Sequence, residues 1–154
     1  MTLSIQVDPE SARLVAELVG GVAARVADLT PINQEALLMV QADVDQRFAS
    51  APRVRSTAMV WGGETWPSLS NMYLEDNPRR EGGQQLRDTG ELLQSFQVGQ
   101  RANVTQSDAS GWTFGSALPK ASELHQDRPL IFFHPQLSDN LVLLYAAFLL
   151  GEYS

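Results

Sequence analysis

The chain has no cysteine. That excludes disulfides, thiolate nucleophiles and Cys-ligated zinc, and it accords with synthesis in a reducing cytoplasm. Cations are scarce too: 11 Lys and Arg stand against 18 Asp and Glu, a net charge of −7, and no run of them forms the basic stripe that duplex binding requires. Neither sequence-specific nor nonspecific nucleic-acid binding is expected. The most apolar run, LVLLYAAFLL at 141–150, is about half as long as a membrane-spanning helix, so it is expected to be covered by protein, with no membrane as partner. The opening MTLSIQVDPESARL lacks the basic-then-apolar order of a secretory signal. Gly-x-x-x-x-Gly-Lys, Gly-x-Gly-x-x-Gly and Gly-x-Ser-x-Gly are all absent, which leaves phosphate loops and nucleophile elbows without support.

What remains is a globular composition, 44% hydrophobic and 19% charged over 154 residues, and a single domain spanning 1–154 is expected. Leu3, Ile5 and Val7 alternate with polar residues as in a half-buried strand. Asp8 and Pro9 then read as N-cap and first helical position, and Leu14, Val15, Leu18, Val19, Val22 and Val26 share one face of a helix ending near Asp28. Thr30-Pro31 repeats that signal, and Leu37, Val40, Val44 and Phe48 predict a second helix layered with the first and ending near Ser50. Periodicity lapses over 51–83, where Pro and Gly recur; this reads as a long loop with a helical turn at Leu69–Glu75. Phe96–Val98, Asn103–Gln106 and Trp112–Phe114 read as strands, and Ser138–Leu150 as a closing helix capped by Ser138 or Asp139. The expected fold is α+β: N-terminal helices packed on a small antiparallel sheet, a long central loop and a C-terminal helix.

Candidate chemistry is thin. His125 and His134, with a carboxylate such as Asp127, are the one set from which a small metal-dependent hydrolase could be built, and surface or hydrogen-bonding roles are favoured for both. Asp43 with Asp45, and Glu75 with Asp76, read as solvated faces, and Arg79-Arg80 beside Glu81 as a local ion pair or a contact to an acidic neighbour. In "QQLRDTGELLQSF", residues 84–96, Asp88 and Glu91 have the spacing of a capping box that starts a helix carrying Leu92, Leu93 and Phe96 inward. Thr89 has no histidine near it in sequence to act as base, so a nucleophilic role is not expected. Two tryptophans, Trp61 and Trp66, on the long loop and an all-round apolar terminal helix bearing Tyr145 and Phe148 suggest surface meant for another chain. Trp61, Trp66, Arg79, Arg80, Tyr145 and Phe148 are therefore the candidate interface, with the 51–83 segment or the hairpin around Gln106–Gly111 reaching the neighbour.

The ordered set "WPSLS…LRDTGELLQSF…ELHQDRPLIFF" resembles the phage virion morphogenesis proteins, the Mu-like tail completion family. Trp66, Ser68, Leu69 and Ser70 match its first element; Leu86, Thr89, Gly90, Leu92, Ser95 and Phe96, with Asp88 between, match its second. His125-Gln126 and Arg128-Pro129-Leu130 match its third, and Phe48 stands where the family has an aromatic before the loop. The chain departs from the pattern at Ala121 and Ser122, and Asp127 alone separates His-Gln from Arg-Pro. The resemblance implies a structural virion protein of a tailed phage with no catalytic residues, metal or cofactor. It would be a tail completion or tail terminator subunit, assembled in the host cytoplasm into a homo-oligomeric ring, most often sixfold, that joins tail to head alongside other neck and tail proteins. A head-closure stopper or adaptor of the same neck is the alternative. The net negative charge suits a ring through which DNA passes without sticking.

Overall fold

The computed structural model describes residues 8–153, so the strand expected at Leu3–Val7 lies outside the described residues. Among these, six α-helices and two separate two-stranded antiparallel sheets make an α+β fold. In α1 (Pro9–Ala27) the Asp8 side chain accepts the Ser11 N–H at 3.0 Å and proline sits in the first turn, as cap chemistry predicts. In α2 (Thr30–Ser50) proline is again at the start, but Leu29 occupies the N-cap position without a side-chain cap bond, and the Asp28 side chain just before it accepts the Thr30 N–H at 3.0 Å.

The buried face of α2 is the centre of the fold. Ile32, Ala36, Leu37, Val40, Val44 and Phe48 recur at helical spacing and are nearly or fully buried. Val44 and Phe48 join Leu92, Phe96, Ala121 and Leu130 in the main core, where the Phe48 and Phe96 rings lie 6.0 Å apart. A smaller cluster of Ala51, Val60 and Trp66 lies beyond it, and Leu86, held in the left-handed region at φ 61°, packs against both.

The 51–83 segment is folded, which corrects the expectation of a loop. It holds a hairpin of β1 (Ala58–Met59) and β2 (Thr65–Trp66), then α3 (Asn71–Asp76) capped by Ser70, and a 3-10 turn at Pro78–Arg80. An Arg53↔Gln84 bridge closes its base, and the Gln84 side chain donates to the Ala49 and Ala51 carbonyls. Such side-chain-to-backbone bonds hold an aperiodic segment without leaving a hydrophobic period in the sequence.

Three more expectations are corrected. Phe96–Val98 is turn rather than strand, because the short α4 (Glu91–Gln94) ends there and Phe96 faces the core. A helix not anticipated, α5 (Pro119–Asp127), follows β3 (Asn103–Ser107) and β4 (Trp112–Ser116). The closing helix α6 (Pro135–Leu150) starts earlier than expected and is capped by His134, whose ring accepts the Leu137 N–H. The helical layer also differs: α6 packs on both α1 and α2, while α2 alone of the N-terminal pair packs on the β3–β4 sheet. A hydrogen-bonded line crosses that junction, from Trp112 Nε1 to the Tyr145 hydroxyl, to Asn33 Oδ1, and from Asn33 Nδ2 to the Asp108 carbonyl.

Two predictions follow from this packing. Phe48→Ala should cost about 3–5 kcal/mol in urea unfolding, because a fully buried ring leaves a cavity the flanking helices cannot close. At the β3–β4 turn, bonds from the Ser110 hydroxyl and amide and the Gly111 amide hold the Asp108 carboxyl below its ordinary value. A lowered folded-state value stabilises the turn above the ordinary carboxylate range and ceases to do so as pH falls through it. The Ser110 and Gly111 amides should be protected from hydrogen exchange, relative to their intrinsic rates, at neutral pH and lose that protection in that acidic window.

Candidate functional site

Two places gather polar side chains. The first lies where α2, the β1–β2 hairpin and the start of α6 meet. Arg47 projects from α2 and is completely buried; its Nη1 donates to Glu64 Oε2 at 2.8 Å and to the Pro129 carbonyl at 3.2 Å, and its guanidinium carbon lies 5.0 Å from the centre of the Phe132 ring. Its Nε and Nη2 have no hydrogen-bond partner among the described residues. One turn earlier on α2, Asp43 Oδ1 accepts Trp61 Nε1 at 2.5 Å and lies 2.7 Å from His134 Nε2. Gly62 is obligatory beside them: its φ is +90° and a Cβ there would lie 2.5 Å from Arg47 Nη2.

This cluster reassigns several residues. Asp43 is a buried acceptor and not part of a solvated face. Trp61 is half-buried and turned inward onto Asp43, and Trp66 is fully buried in the second apolar cluster and offers no free surface as an interface residue. His134 spends both ring nitrogens on protein groups: Nδ1 accepts the Leu137 N–H, which leaves Nε2–H to donate to Asp43. His125 is exposed on α5, where its Nδ1 accepts the Leu130 N–H at 3.0 Å and holds the turn after the helix. The disfavoured grouping of His125, His134 and Asp127 does not form, and among the described residues no cluster of three or more His, Asp or Glu side chains is arranged to hold a metal ion.

The second place is a cavity of about 710 Å³, within the size range of ligand sites. Segments far apart in sequence converge on it: Leu69 with its Pro67–Ser70 neighbours, then Leu86, Asp88, Thr89, Gly90 and Leu92, and finally Asp127 and Arg128 from the end of α5. The remaining motif residues lie elsewhere. Ser95 is buried and donates to the Leu92 carbonyl at 2.7 Å while accepting the Ser116 hydroxyl, which ties α4 to β4. His125 lines a separate cavity of about 250 Å³, and Gln126 is exposed beside it on α5. Pro129 offers its carbonyl to Arg47.

The capping box expected at Asp88–Glu91 does not form. Gly90, at φ 80°, occupies the N-cap position, the Glu91 N–H reaches only the Thr89 hydroxyl at 3.4 Å, and the Glu91 side chain pairs with Lys120. Asp88 instead takes a two-point grip from Arg79, at 2.8 and 2.9 Å. Arg79 thus finds its anion at Asp88, while Glu81 pairs with Arg55, and Arg80 is buried, donating to the Gln84 carbonyl. Gln85, which nothing in the sequence distinguishes from its polar neighbours, is fully buried at the floor: it donates to the Ser56 and Pro67 carbonyls and accepts Arg128 Nε at 2.8 Å.

No protein-family model matches the chain, and no curated protein or solved structure matches it significantly.

Removing the Asp43 carboxylate is the sharpest check on the first cluster. Asp43→Ala leaves the Trp61 and His134 donors without an acceptor and should cost about 1–3 kcal/mol for each. Asp43→Asn keeps an acceptor oxygen and should cost clearly less; equal losses in urea unfolding would refute the network as drawn.

Proposed function

We propose that this chain is a self-assembling structural subunit of a tailed-phage virion, a tail completion or tail terminator protein that closes into a ring where tail meets head. The observation that carries the self-assembly is the apolar face of α1. Leu14, Val15, Leu18, Val19 and Val26 fall on one stripe, and each is more than half exposed. On α6, Val142, Leu143 and Leu150 are likewise more than half exposed. A lone soluble domain seldom leaves so much aliphatic surface in water, and although α1 packs on α6 it buries none of these side chains there.

The position in the virion rests on the order of the three motifs, which meet round one cavity although they are separated by up to sixty residues of sequence. A ring needs a heterologous contact, one patch of a subunit against a different patch of the next, and projecting α1 is suited to reach across. Tyr145 and Phe148 are only half-buried within the chain, Tyr145 held by Asn33 and Trp112 and Phe148 stacked edge-on with Tyr153, so the α6 contact is assigned to Val142, Leu143 and Leu150 in their place.

Light scattering on the purified protein should give a multiple of the 16.9 kDa chain mass, six-fold for the ring the motif resemblance favours. Leu14→Glu with Leu18→Glu should return it to the mass of one chain with its helical circular dichroism intact, since neither side chain packs inside the subunit. A wild-type protein that stays a monomer and never joins tails or filled heads would overturn the reading.

A further inference from the structure

The 710 Å³ cavity has a feature that neither packing nor self-assembly uses: a buried cation without an anion. Arg128 is only 8% exposed, its Nε is taken by Gln85 Oε1 and its Nη2 by the Pro67 carbonyl at 3.1 Å, and its Nη1 makes no hydrogen bond to a described residue. No carboxylate among the described residues lies within ion-pair distance of it, although three line the same cavity. Asp88 is held by Arg79 and approached by Arg80, and Glu123 and Asp127 stand exposed on the outer turns of α5. Lys120 is paired with Glu91. A guanidinium largely buried, given only neutral protein acceptors and with its Nη1 left open to the cavity, is a site for an incoming anion, because a charge-assisted bond there replaces no existing ion pair. Four leucines, Leu69, Leu86, Leu92 and Leu124, form the aliphatic part of the cavity wall.

We propose that this cavity is a docking site for an extended peptide segment of a partner protein, which places one carboxylate on Arg128 Nη1 and one aliphatic side chain among the four leucines. The exposed Glu123 and Asp127 repel a run of acids at the rim, so the segment carries a single carboxylate beside its apolar anchor. The pairing of one apolar pocket with one charged anchor is the usual economy of peptide recognition. The site rests on the geometry of Arg128 and stands whether or not the chain forms rings.

The test is to pan a display library of random peptides against the folded full-length protein. Each selected sequence is then synthesised as a capped peptide and as its Asp→Asn or Glu→Gln isostere. The carboxylate peptide should bind at least about 10-fold more tightly than its isostere, as expected for a hydrogen bond to a charged group, and Arg128→Gln should erase the difference. Because Arg128 also braces Gln85 and Pro67, Thr89→Glu serves as a second variant: Thr89 is exposed at the rim, and its replacement should weaken binding by repulsion with the Arg128 bonds untouched. Failure to enrich any sequence, isosteres that bind equally, or binding indifferent to both substitutions would overturn the proposal. So would an Arg128→Gln protein that loses self-association while the selected peptides still bind, for the cavity would then serve a second copy of the chain.

Discussion

The arrangement depends most on one buried charge. Arg47 leaves the last turn of α2, on a buried face that also carries Asn33 and Asp43, and reaches two separate pieces of chain: Glu64 between the strands of the first hairpin, and the segment before α6 through the Pro129 carbonyl and the face of Phe132. A guanidinium with no exposure is costly unless its field is answered, and here a carboxylate, a carbonyl and a ring answer it. The 51–83 segment and the approach to α6 are therefore held to the same helix by electrostatics as well as by apolar contact, Val60 and Trp66 with Ala51 at the helix end and Leu130 with Val44 and Phe48 in the main core. Asp43, one turn away, repeats the device with Trp61 and His134, so α2 serves as the post to which both irregular segments are tied.

That economy leaves apolar surface elsewhere. The core is carried by α2, α4, α5 and the segment before α6, and α1 contributes no buried residue to it. The stripe on α1 is as regular as that on α2, yet it faces outward, and the same chemistry that would have made a second core layer is free for association. Hydrophobic patterning states that a face wants cover, and the fold decides whether the cover comes from within the chain.

The two helices at the N-terminal side were legible because their start signals are local, Asp8 with Pro9 and then Thr30-Pro31, although at the second the Thr30 side chain does not cap. The strands at Asn103–Ser107 and Trp112–Ser116 were legible for a similar reason, the turn residues between them being neighbours. Asp88–Glu91 misled because a local motif lost to a distant partner: Arg79 grips Asp88 at two points, whereas the cap would have offered one backbone N–H. Asp43, Arg47 and Gln85 were illegible for the opposite reason, since a polar residue on a helix or loop reads as solvated until its partners, here 17 to 91 residues away, are known.

By itself, then, the sequence determined the class of fold, the starts of α1 and α2, the apolar character of the α1 and α6 faces, and the three motif segments, because each is written in spacings of one to four residues. Tertiary structure alone decided that the segment 51–83 is folded, that Trp61 and Trp66 turn inward, that the α1 stripe stays uncovered, and that the motif segments enclose one cavity with Arg128 in its wall. The reason is physical: a buried polar group is satisfied by whichever partner the completed fold brings within hydrogen-bond reach, and chain order does not encode that distance.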